Sequence, residues 1–102
     1  MDIPLSLDRY LPHLKETFTL QGEGGVTATL TLTEAKSRID DEVQCCFSLI
    51  FIAKEGEVLP QHLYRLSHPA LGEFDLFLVP IQKRKTGVVY QAVFNLLKED
   101  AQ

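Results

Sequence analysis

The 102-residue chain has no tryptophan, one methionine and only two cysteines, and those two are neighbours, Cys45 and Cys46. Adjacent residues on a strand point to opposite faces, so an ordinary disulfide between them is geometrically poor and free thiols are expected. A small disulfide-stapled scaffold is thereby excluded. No Cys-x-x-Cys or His-x-x-x-His spacing occurs, so the recurrent zinc patterns are missing. No apolar run approaches the roughly 18 residues that a membrane helix needs. The best of them, Cys45 to Ala53, has the length of a strand. Positive charge is also short: 10 Lys and Arg against 14 Asp and Glu leave a formal charge of −4. Nucleic acid and anionic membrane both call for a basic footprint, so neither is an expected partner. The opening "MDIPLSLDRYL" carries no basic stretch ahead of an apolar one; no signal peptide is expected, and the expected location is cytoplasmic.

What is present suits one ordinary globular domain over residues 1–102, with 45% hydrophobic and 24% charged residues. Leu7, Tyr10, Leu11 and Leu14 recur at spacings of three and four behind Ser6, a candidate N-cap. They predict a short helix over about residues 6–15, interrupted near Pro12. Everything after Thr17 reads as strand and turn. Strands are expected over about 17–21, 26–34, 43–53, 62–68, 73–81 and 87–96. In "VTATLTLT", Val26, Ala28, Leu30 and Leu32 alternate with four threonines, the mark of a half-buried antiparallel strand. "QCCFSLIFIA" is apolar on both faces and should be central. No second helix is long enough for a crossover, so these strands do not easily make a parallel sheet. The expected fold is mainly β, a six-stranded antiparallel meander closing into a small barrel or sandwich, with a short N-terminal helix.

Polar residues concentrate in "LPQHLYRLSHPALGEFDLFLVP", residues 59–80. Pro69 to Gly72 reads as a four-residue hairpin loop. That register sets His68 opposite Glu73, Tyr64 opposite Phe77 and Arg65 opposite Leu76, with the His68–Glu73 pair exposed at the hairpin mouth. His62, Tyr64, Arg65, His68 and Tyr90 are the candidate ligand- or partner-binding residues. They do not make a metal site: His62 and His68 share a strand face but lie roughly 20 Å apart at about 3.3 Å per residue. His13 is remote in sequence. Ser67 and His68 are strand neighbours facing opposite sides, and no G-x-S-x-G elbow accompanies them, so no nucleophile–base pair is formed. "GEGG" lacks the G-K-[ST] ending of a phosphate loop and precedes a strand. Lys83-Arg84-Lys85 reads as a solvated hairpin tip. No catalytic residue, metal or cofactor is expected.

"FSLIF" at 47–51, "LPQ" at 59–61 with Tyr64, "HPALGE" at 68–73, "FLVP" at 77–80 and "YQAVFN" at 90–95 resemble, in this order, the motifs of a family of small bacterial proteins of unknown function. The likeness covers roughly residues 17–95. It departs at His62, where the pattern has a small residue, and in the long "LTEAKSRIDDEVQ" connection. The resemblance implies a β domain of about a hundred residues, no transferable catalytic residues, and an association of some members with tail-fibre or phage-tail-collar-like proteins. The expected function is a non-enzymatic domain that binds a protein, either its own copy or an assembly partner, through exposed strand edges. The alternative is a small-ligand or enzymatic site near Tyr64 and Tyr90.

Overall fold

Strict alternation from Thr27 to Leu32 puts Leu30 and Leu32 inside and the threonines outside, and the same rule shapes the other strands. The computed structural model describes residues 7–22, 25, 27–54 and 58–97, the last two through their backbone alone. A single turn of helix, α1 (Leu7–Tyr10), runs into a 3-10 turn (Leu11–His13) with Pro12 near its start, as the missing N–H of proline requires. Six strands follow: β1 (Thr17–Gln21), β2 (Thr27–Asp40), β3 (Gln44–Ala53), β4 (His62–His68), β5 (Gly72–Arg84) and β6 (Gly87–Leu97). The expected N-cap Ser6, part of the glycine turn and Val26 lie outside the described residues.

All neighbouring strands are antiparallel, and they close a ring in the order β1-β2-β3-β6-β5-β4. Of barrel and sandwich, it is the barrel. The ring consists of two three-stranded meanders, β1-β2-β3 and β4-β5-β6, joined where β3 meets β6 and β4 meets β1. Closure also removes the continuous open edges on which an edge-bound partner was expected. Among the described residues, an edge is left only where long strands run past their neighbours.

Two strands outrun their expected ends. β2 continues to Asp40 through register shifts at Leu32/Glu34 and Ser37/Ile39. Each bulge inserts a residue and breaks the period of two, so alternation stops marking the strand after Thr33. What reads as a connection is therefore ladder. The acidic cluster does form the turn, with Asp41 Oδ1 accepting from the N–H of Val43 at 2.8 Å and of Gln44 at 2.9 Å. β5 likewise runs on to Arg84, leaving Lys85 and Thr86 as the turn. β6 begins at Gly87 with φ +143°, where a Cβ would collide with the Ala53 carbonyl, so only glycine fits.

Side chains fill the interior. Phe18, Leu20, Leu30, Leu32, Phe47, Leu49, Phe51, Leu66, Leu78 and Tyr90 are all buried, and each such group stabilises by about 1.5–3 kcal/mol relative to exposure. Tyr10 plugs one end: its ring centroid lies 6.1 Å from Phe47, 6.3 Å from Phe74 and 5.9 Å from Phe94. Burial pushes its hydroxyl pKa upward. Cys45 and Cys46 are free thiols, half-buried and buried.

The β4–β5 hairpin corrects the expected register by one residue. His68 pairs with Gly72, Tyr64 with Leu76, and Arg65 with Asp75. Gly72 is itself the left-handed residue, φ +82°, and it belongs to the ladder instead of the loop. The loop is thus three residues, Pro69 to Leu71, closed by a left-handed glycine. The shift of one turns Phe77 and Asp75 outward with Leu63 and Arg65, and it turns Phe74, Leu76 and Leu78 inward with Tyr64 and Leu66. His68 is 7% exposed, not at an open hairpin mouth beside Glu73.

Candidate functional site

The five residues singled out in the sequence do not share one site. His62, Tyr64 and Arg65 line an open depression of about 340 Å³ with Gln21, Gly22 and Asp75. The His62 ring sits edge-on to Tyr64, 5.4 Å between centroids. Arg65 is on the outer wall, its Nε donating to Asp75 Oδ1 at 2.7 Å and its Nη1 to Glu73 Oε1 at 3.4 Å. These bonds hold its guanidinium pKa up. Tyr90 is not in the depression. Its hydroxyl oxygen accepts the Leu59 N–H at 2.9 Å, and the Tyr64 hydroxyl donates to the Pro60 carbonyl. The two tyrosines thereby tie Leu59 and Pro60 across one mouth of the barrel.

His68 lies at the other mouth, within a cluster the sequence reading missed. The 3-10 turn ends at His13; Lys15 then reverses the chain at φ +71°, its N–H donating to the Leu32 carbonyl at 2.6 Å. This reversal swings Glu16 onto the end of β4. Glu16 Oε1 accepts from His13 Nδ1 at 2.8 Å and from His68 Nε2 at 2.7 Å. The His68 ring is packed 4.5 Å from the His13 ring and 4.6 Å from Phe18, centroid to centroid. The bond to His13, then that to His68, hold the Glu16 carboxyl below its usual range. No local spacing could reveal this group, because His68 is separated from Glu16 by most of the strand ladder.

One ligand atom from each of His13, Glu16 and His68 lies within 4.8 Å of the others, which invites a metal reading. The hydrogen bonds around His68 oppose it. Its Nδ1 accepts the N–H of Ala70 at 3.0 Å and that of Leu71 at 3.3 Å. The ring hydrogen therefore resides on Nε2, where it donates to Glu16. A metal on Nε2 would move that hydrogen to Nδ1, facing two backbone donors. Histidines that hold metals turn their second nitrogen to an acceptor. This cluster is built as a clasp: it fastens the N-terminal turn to β4 and shapes the Pro69–Leu71 loop.

Residues 5–94 match a family described as a domain of unknown function, DUF6916. The chain belongs to the DUF6916 family. No curated protein and no solved structure matches it. The DUF6916 span includes both the clasp and the tyrosine ties. The motifs quoted above have folding roles in this chain. "HPALG" is the loop whose N–H groups cap His68 and whose glycine is left-handed; Tyr64 and Tyr90 tie down Leu59 and Pro60; Phe47, Leu49 and Phe51 face inward together. Among the described residues, no helix is long and apolar enough to cross a membrane.

Proposed function

We propose that this DUF6916 domain is a non-enzymatic protein-interaction module serving a larger assembly. One observation carries the reading. Leu63 and Phe77 are directly paired across β4 and β5, and they stand 53% and 50% exposed on the outside of a barrel whose inside is already filled. Single exposed apolar residues are ordinary, whereas adjacent large ones suit a surface that a partner covers. Val79 lies on the same outer face two residues along β5 from Phe77, and Val93 on β6 is half exposed beside it in the ring order. The tail-fibre setting implied by the resemblance is one concrete form of this reading. A small-ligand site would need Tyr64 and Tyr90 in one cleft, but the Tyr90 hydroxyl is already engaged by Leu59.

A pull-down from the native source tests the reading, using the wild type and a Leu63→Glu/Phe77→Glu double variant with matching circular dichroism. The expected result is a partner retained by the wild type and lost from the variant. A wild-type chain that stays monomeric and retains nothing at micromolar concentration overturns it.

A further inference from the structure

We infer that two copies of this chain pair through the free edge of β6, from Ala92 to Leu97, in an antiparallel strand-to-strand contact about a two-fold axis. The inference rests on the protein-interaction reading above and names one partner for it, a second copy.

The edge follows from the register. β5 pairs with β6 only from Val79↔Gln91 to Arg84↔Gly87, because below Val79 it belongs to β4 alone. β3 pairs with β6 along its other side as far as Leu97. Among the described residues, then, β6 has a neighbour on one side only beyond Gln91. Residues of an antiparallel strand turn their N–H and C=O alternately to one neighbour and to the other. Leu32 gives its N–H to Glu16 and takes that of Lys15, both on its β1 side. Its cross-strand partner Phe51 therefore turns to β6, toward Tyr90. Tyr90, Ala92 and Phe94 turn to β3 in consequence. Val93 and Asn95 turn to the side that β5 has left.

β2 supplies the control within the same molecule. It too outruns its neighbour β1, whose pairing stops at Thr17↔Thr31. That stretch of β2 is guarded by two bulges and by Glu34, Lys36, Arg38 and Asp40. These are the devices by which natural sheets keep edges from pairing. The β6 edge has none of them: "AVFNLL" carries no charge and no proline, and its ladder to β3 is unbroken by any bulge.

An uncharged segment meets its own copy without like-charge repulsion, and antiparallel pairing about a two-fold presents the same patch on both sides. With each copy's Val93 opposite the other's Asn95, the two β2-β3-β6 sheets become one. The half-exposed Val93 lies on the outer face at this seam.

Sedimentation of the full chain over a concentration series tests this, with amide hydrogen exchange as a second readout. The wild type should pass from monomer to dimer as concentration rises. Asn95→Pro removes a single N–H that points away from β3, and Val93→Lys places a charge on the edge. Each should weaken the dimer at least about tenfold while leaving the circular dichroism of the monomer unchanged. Should Asn95→Pro fail to fold, Val93→Lys carries the test alone. The amides of Val93 and Asn95 should gain protection only as the dimer forms, whereas those of Ala92 and Phe94 are protected in both states. A chain that stays monomeric up to about 1 mM overturns the inference, and so does a dimer that both variants leave intact. If such a monomer still retains a partner that the Leu63→Glu/Phe77→Glu variant loses, the interaction reading stands and the second copy alone is ruled out.

Discussion

At one mouth of the barrel the Tyr10 ring reaches among Phe47, Phe74 and Phe94, and the Glu16 carboxylate bridges two histidines beside it. At the other mouth, the hydroxyls of Tyr64 and Tyr90 hold Leu59 and Pro60 across the opening. The same residue type closes both ends by different means. Tyr10 contributes a buried ring standing among Phe47, Phe74 and Phe94. Tyr64 and Tyr90 contribute volume as inward residues of regular strands and position as hydrogen-bonding groups. The plugged end combines a buried ring with the Glu16 clasp, and the tied end rests on two hydroxyl bonds.

The contrast sets an order of effects. Tyr10→Ala empties the plug and should cost about 3–5 kcal/mol, the range for deleting a large buried aromatic. Urea unfolding of the variant measures this directly, and a loss below about 1 kcal/mol would mean that the N-terminal turn is ornamental. Tyr90→Phe keeps the ring and removes one acceptor, so the expected cost is about 1 kcal/mol. It should be accompanied by faster amide exchange at Leu59; a cost as large as that of Tyr10→Ala would erase the distinction between the two ends.

The smallest effect is one of pH. The bonds from His13 and then His68 hold the folded Glu16 carboxyl below its ordinary value, so its contribution is complete above that ordinary value and fades as pH falls through the lowered one. Melting temperatures of the wild type and Glu16→Gln, compared from about pH 7 down to about pH 3, should therefore differ most near neutrality and converge in acid. Curves that stay parallel across the range would show that the carboxylate charge plays no part in the clasp.

Much of this fold is legible in the residues themselves. β1 and β4 begin and end where alternation places them, and the apolar character of β3 marks it as a strand between two others. Three features escape for stated reasons. β2 is longer than it reads because bulges at Thr33 and Arg38 destroy the period that marks a strand. The β4–β5 register slips by one because Gly72 can belong either to a loop or to the ladder, and the chain alone does not decide which. The His13–Glu16–His68 group escapes because it depends on ring closure. Until β1 lies beside β4, nothing brings His68 near the N-terminal turn. The candidate residues His62, Tyr64 and Arg65 were within reach of sequence because they are neighbours on one strand, whereas Tyr90 and His68 are placed at opposite mouths by the topology.

The two three-stranded halves are joined very unequally. β3 and β6 share ten residue pairs, and β1 and β4 share three: Thr19↔Ser67, Leu20↔Leu66 and Gln21↔Arg65. During folding, the local hairpins of each half can form before that short junction, which must draw together segments far apart along the chain. In the native state the same junction is where the wall gives way first, much as a bracelet opens at its fastening and not along its links. The Glu16–His68 bond continues the junction just past the last main-chain pair, so losing it would unlatch the molecule locally before melting any strand as a whole.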